Sequence, residues 1–173
     1  MKNTLKFLFF FIYFVTINQN LKAETYFLDF KFIIDQSVVG KKTNKALQNQ
    51  LDQGIKKLKS KEQQLQNEEK EIIQQKKILS PEEYKKKISS LRSKVSSLQK
   101  ERNNLLQNVS SKRNNAKKQI LSKLNPLVKN YMVEKNIKII IDKKSVLLGD
   151  DTLDITKDIL DLLNKNLKEI KLN

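Results

Sequence analysis

The chain has 173 residues, 35 of them lysine or arginine against 19 acidic, for a formal net charge of +16, and it has no histidine and no cysteine. Without those two residue types it carries no zinc finger, no Ser-His-Asp or Cys-His nucleophile and no haem or iron–sulfur ligation, and three isolated glycines (Gly40, Gly54, Gly149) cannot form a phosphate-cradling loop. A composition 38% hydrophobic and 31% charged suits long solvated helices better than a globule with one large core.

Residues 1–23 have the three parts of a secretory signal peptide: Lys2 and Lys6, an uncharged apolar run from Phe7 to Ile17, and a polar exit ending at Ala23. The run is about half the roughly 20 apolar residues that a membrane anchor needs. Cleavage after Ala23 is expected, although Leu21 stands where a small residue is usual. An exported domain without disulfides must be stabilised by its own core or by oligomerisation, and a bacterial periplasm is the simplest compartment for it.

The stretch Thr25 to Ser37 reads as a strand, with Tyr26, Leu28 and Phe30 on one side and Phe27 and Asp29 on the other. Residues 41–136 are polar, nearly free of Gly and Pro, and read as a helical hairpin. On the way out, from Thr43 to Leu79, Leu51, Leu58, Leu65, Ile72 and Leu79 recur every seven residues, and Ile55 and Ile73 widen the stripe. Such a helix spans about 55 Å. Gly54, near the seam, costs about 1 kcal/mol relative to Ala in a helix; it reads either as a flexing point or as sequence drift.

Ser80-Pro81-Glu82-Glu83 is the most specific local signal in the chain. Serine at the N-cap, proline at the first helical position and glutamate at the third form a capping box, so one helix ends near Leu79 and another starts at Pro81. With almost no loop the two run antiparallel, and the box argues against one long parallel dimeric coiled coil. On the return, Tyr84, Ile88, Leu91, Val95, Leu98, Leu105, Val109 and Ala116 keep heptad spacing, with Arg102 and Lys112 as polar exceptions. Ile120, Leu124, Leu127 and Tyr131 then introduce a stutter, and Pro126 is expected to kink the helix near its base or break it.

Ile137 to Ile141 reads as a strand, Asp142 to Ser145 as a turn, Val146 to Leu148 as a second strand, and Asp154 to Leu167 as a helix with Ile155, Ile159, Leu162 and Leu163 on one face. The hairpin brings the terminal strands together so that they can pair. The fold class is therefore mainly α with a small β body, a long antiparallel coiled-coil hairpin being inserted between N- and C-terminal strands. The body, residues 24–40 and 137–173, is too small to be secure alone, and its open strand edges invite neighbouring subunits. Phe27, Leu28, Phe30, Ile139, Ile141, Val146, Leu148, Ile155 and Ile159 are the expected body and oligomer core.

This arrangement resembles the Skp/OmpH family of periplasmic chaperones over essentially the whole mature chain. Leu28-Asp29-Phe30, Ser37 and Gly40-Lys41-Lys42 look like that family's strand, its serine and its glycine-lysine helix start. Ile139 to Leu148 looks like its strand–turn–strand, Asp154-Ile155-Thr156, Ile159 and Leu163-Asn164 like its closing helix, and Asn125-Pro126-Leu127 stands at a proline common before the second strand. Gly149 departs from the residue usual after the second strand. The resemblance implies a jellyfish-like homotrimer whose three hairpins surround a cavity. It implies ATP-independent holding of unfolded outer-membrane proteins, with no cofactor and no enzymatic activity.

Charge places that function on the hairpin. Residues 41–136 carry 24 lysines and arginines against 9 acids, whereas 24–40 and 137–173 together carry 8 against 10. A basic cage attracts acidic clients, and anionic lipid surfaces too. Biased coding explains 32 lysines against 3 arginines, but it does not explain why acids are sparse in the hairpin alone. Ile73, Ile78, Tyr84, Ile88, Lys85, Lys86 and Lys87, near the tip, are candidate client contacts, with seam packing as the other reading of each apolar one. A nucleic-acid partner is disfavoured by few arginines, few aromatics and the signal peptide. A structural envelope coiled coil or an anionic-lipid-binding stalk is the alternative function.

Overall fold

The computed structural model describes residues 24–172, so the signal-peptide reading of 1–23 lies outside the described residues. The elements in order are β1 (Thr25–Leu28), α1 (Phe30–Gln36), α2 (Val38–Gln74), α3 (Pro81–Glu134), β2 (Ile139–Asp142) and α4 (Thr156–Asn166), with single 3-10 turns at Gln75–Lys77, Lys143–Ser145 and Asp151–Leu153.

The first strand is shorter than its sequence suggests. It stops at Leu28, and the stretch expected to continue it is helix α1. Asp29 makes the change: its carboxylate accepts the Phe32 N–H at 2.8 Å as an N-cap, and its own N–H donates to Thr156 Oγ1 at 2.9 Å. Ile33 and Ile34 are both buried. Neighbouring residues of a strand point to opposite faces, whereas a helix can turn both of these, with Phe30, toward one core.

Ser37 closes α1 and opens α2. Fully buried, its hydroxyl accepts the Gly40 N–H and donates to the Ile34 carbonyl, each at 3.1 Å. A β-carbon on Gly40 would fall 1.7 Å from that same carbonyl oxygen. Only glycine lets the two helices meet so closely.

β1 and β2 pair in parallel, from Thr25↔Ile139 to Leu28↔Asp142. The other edge of β1 is capped by a bridge from Phe27 to Asp154, with the Ile155 N–H donating to the Phe27 carbonyl. β1 is thus paired on both sides, and the outer edge of β2 is open. The second strand expected at Val146–Leu148 does not form, although the outer edge of β2 is open. Leu147 and Leu148 stand 95% and 92% exposed.

The core joins Leu28, Ile33, Ile34 and Val39 to Ile155, Ile159 and Leu163, and also to Ile120, Leu124 and Val128 of α3. The last turns of the return helix are therefore part of the body. Pro126 neither breaks nor interrupts α3, which runs unbroken from Pro81 to Glu134; Leu124 and Val128 hold it in the core on either side of the proline. Three further ties join body and arm. The Val38 N–H donates to Asn164 Oδ1 at 2.7 Å, Lys42 pairs with Glu169 at 2.9 Å, and Gln119 Nε2 donates to the Lys171 carbonyl at 2.9 Å. The C-terminal tail thereby crosses the feet of both hairpin helices.

Candidate functional site

The feature that sets this chain apart is the arm. α2 begins five residues earlier and ends five residues earlier than the expected Thr43–Leu79, because Ser37 already caps it and a 3-10 turn closes it. At the tip, Ser80 accepts the Glu83 N–H and Glu83 accepts the Ser80 N–H, with Pro81 at the first helical position. The hydroxyl and the backbone of Ser80 hold the Glu83 carboxyl below its usual pKa. Helix α3 is 54 residues long, which is about 80 Å.

The seam buries Leu47, Leu58 and Ile72 of α2 against Leu91, Leu98, Val109 and Ala116 of α3. Its two flanks differ. Residues three after a seam leucine lie on one flank and those four after it on the other, because each residue turns the helix by about 100°. The three-after flank is closed by polar bridges across the hairpin: Gln50 to Asn108 at 3.3 Å, Lys61 to Glu101 at 2.6 Å and Lys94 to Glu68 at 2.6 Å. The four-after flank holds one looser bridge, Glu62 to Arg102 at 3.6 Å.

On that open flank lie the arm's large exposed apolar side chains below the tip: Ile55 (49% exposed), Ile73 (58%), Val95 (44%) and Leu106 (52%). Ile73 stands outward, and Ile55, Val95 and Leu106 line a groove between the helices. Its near-body stretch is lined by Ile55, Leu58, Lys59, Leu105 and Leu106, and its outer stretch by Leu65, Gln66, Glu69, Leu91, Arg92, Val95 and Gln99; Glu62 borders both. Val95, read from spacing as a seam residue, is therefore a flank residue. The heptad positions left polar at Glu62 and Arg102 explain why the stripe was hard to see: it alternates between seam and flank.

The arm's charge is also divided. Residues 61–101 carry 10 lysines and arginines against 7 acids, while 41–60 and 102–136 together carry 14 against 2. The ion pairs across the hairpin begin at Lys61–Glu101 and Glu62–Arg102 and lie outward from there. Among the described residues, Lys56, Lys59, Lys112, Arg113, Lys117 and Lys118 of the near-body half have no ion-pair partner.

The residues singled out from sequence fall in three places. Near the tip, Ile73 and Ile78 are exposed, Tyr84 and Ile88 half-buried, and Lys85, Lys86 and Lys87 exposed, with Lys87 donating to Gln75 Oε1 at 3.1 Å. In the body, Phe27, Leu28, Ile155 and Ile159 are buried, and Phe30 and Val146 half-buried. Ile139 and Ile141 are exposed on the protomer, because strand alternation turns Ile140 rather than its neighbours toward the core, and Leu148 is exposed in the loop after β2. Sequence reasoning passed over Ile33, Ile34, Val39 and Val128. The first two were legible as an i, i+3, i+4 set with Phe30, and the last as the end of a four-residue run from Ala116 through Ile120 and Leu124.

A family model described as outer membrane protein (OmpH-like) matches residues 24–163. No curated protein matches the chain. Among solved structures, an OmpH-like protein of Caulobacter crescentus superposes with a TM-score of 0.81 over 86% of this chain and 88% of its own. The two are 18% identical, so the likeness is one of fold.

Proposed function

This chain belongs to the OmpH-like outer membrane protein family, and we propose that it is an ATP-independent periplasmic holdase that captures unfolded outer-membrane proteins between basic coiled-coil arms and keeps them from aggregating. The observation that carries this reading is the arm itself. A hairpin with 24 basic and 9 acidic residues, and with exposed apolar side chains along it, stands on a near-neutral body. Such a surface offers a disordered chain many weak contacts and no single tight one.

The open edge of β2, with Ile139, Ile141, Leu147 and Leu148 exposed beside it, supports assembly of three such bodies into a trimer with the arms outward. The test is a holding assay with a urea-unfolded outer-membrane β-barrel diluted into buffer without nucleotide, paired with a native mass measurement. Suppressed aggregation at one trimer per client supports the reading. A dimer that suppresses nothing points to the stalk function instead.

A further inference from the structure

We infer that the client is held on one flank of each arm, the open flank bearing Ile55, Val95 and Leu106, and that the segment it takes is an extended strand sequence of an unfolded β-barrel with acidic residues among its polar positions. This rests on the holding function proposed above and adds where and what the arm holds.

The flanks are chemically unlike. One is closed by three polar bridges that already satisfy the side chains along it. The other is a groove with apolar side chains along it, rimmed in its outer stretch by Glu62, Gln66, Glu69, Arg92 and Gln99, and crossed by the single, longer Glu62–Arg102 pair. From Ile55 to Glu69 the groove runs about 21 Å at the helical rise. A barrel strand of roughly 10 residues, alternating apolar and polar, extends about 33 Å. Its apolar side can lie along the groove while its polar side stays in water.

Charge selects among occupants at the near-body end; the outer stretch sets Glu62 and Glu69 beside Arg92 and selects little. The groove's near-body end is bordered by Lys59, and along the same flank of α3 Arg113 and Lys117 follow Leu106 at heptad spacing. None of the three has an acidic partner among the described residues. A client segment with Asp or Glu at its polar positions supplies one. A second copy's arm brings more unpaired lysines against the same cations, which is repulsive.

The chain has no cysteine, so a single introduced one is labelled uniquely. Val95→Cys and Leu106→Cys sit on the open flank, Lys94→Cys and Asn108→Cys on the closed one at matching heights. Each full-length variant receives an environment-sensitive fluorophore and is mixed with a urea-unfolded outer-membrane β-barrel diluted into buffer. A client-dependent blue shift is expected at 95 and 106 and none at 94 and 108. The triple variant Ile55→Gln, Val95→Gln, Leu106→Gln, checked for helicity and mass, should bind the barrel roughly tenfold more weakly. Equal shifts on both flanks, with holding intact, overturn the flank inference and leave the holdase reading standing. A blue shift at 95 and 106 before client is added means another arm covers the groove, which also overturns it. Failure of the wild-type protein to hold the barrel at all removes both.

Discussion

Leu105 of α3 packs into the hole that Gly54 leaves in α2: a β-carbon on Gly54 would lie 2.5 Å from Leu105 Cδ2. The glycine therefore has a packing role, and neither a flexing point nor drift is needed to account for it. A double-mutant cycle separates these readings. In the wild-type background Gly54→Ala gains about 1 kcal/mol of helix propensity but displaces Leu105, so the two effects largely cancel. In a Leu105→Ala background the obstruction is gone, and the same substitution should be more stabilising by about 1 kcal/mol. Urea unfolding at fixed protomer concentration measures both. A pure hinge predicts the same gain in either background.

Gly40 has less tolerance, because the neighbour is backbone. Its β-carbon would overlap the Ile34 carbonyl oxygen at 1.7 Å, and no side-chain rotation relieves that. Gly40→Ala should destabilise by about 3 kcal/mol. Ser37→Ala should cost about 2 kcal/mol, since it strips a buried N-cap and leaves the Gly40 N–H without its acceptor. Thermal unfolding checks both. An unshifted midpoint in Gly40→Ala would mean that α1 and α2 do not meet as described.

These cases show which parts of the fold are written locally. Ser80-Pro-Glu-Glu83 announces a helix start within four residues, and the structure closes the box with bonds among those same residues. The heptads of Leu58, Leu65, Leu91 and Leu98 are equally legible because a seam repeats. The body is another matter. Phe30 to Ile34 has the composition of a strand, and the point where strand gives way to helix is fixed jointly by the Asp29 cap on Phe32 and by the distant Thr156, which accepts the Asp29 N–H across 127 residues. Val146 to Leu148 has strand propensity yet forms no strand beside the open edge of β2, and propensity alone cannot report that. The open flank of the arm was hidden for a related reason: Val95 looks like a seam residue and Ile55 like a widening of the stripe until Lys61–Glu101 and Glu62–Arg102 show which side each helix turns.

Tyr131 gives a pH test of the joint between arm and body. Burial, then the hydrogen bond its phenol donates to Asp158 and the charge of that carboxylate, push its pKa from 10.0 up to about 12. A raised pKa means that the folded state prefers the protonated phenol. Its contribution is therefore fully present below about pH 10 and is lost as the pH rises toward 12. Ultraviolet difference titration of the wild type against Tyr131→Phe should show one phenolate transition near pH 12, absent in the variant. The loss of stability between pH 10 and 12 should be correspondingly smaller in Tyr131→Phe. A difference transition at pH 10 would mean that the phenol is not engaged with α4.

The division of charge along the arm makes the last prediction, and it runs against the tip-centred expectation from sequence. Lys85, Lys86 and Lys87 sit in an outer half where 10 cations face 7 acids, so much of their field is cancelled nearby. Lys112, Lys117 and Lys118 sit in a half where 14 cations face 2 acids, and the potential there is the sum of charges of one sign. Neutralising the inner three to Gln should slow capture of an acidic unfolded barrel several-fold in low salt, and neutralising the outer three should slow it less. Because the Debye length is about 8 Å near physiological ionic strength, added salt should erase most of the difference. Dissociation of the captured client depends mainly on short-range apolar contact and should change less than association does, with the larger change in the inner variant, which loses Lys117. Stopped-flow association of the labelled barrel, with both triple variants at two salt concentrations, reads all of this. Equal slowing by the inner and outer sets would place steering at the tip as much as at the base and remove the argument from charge density.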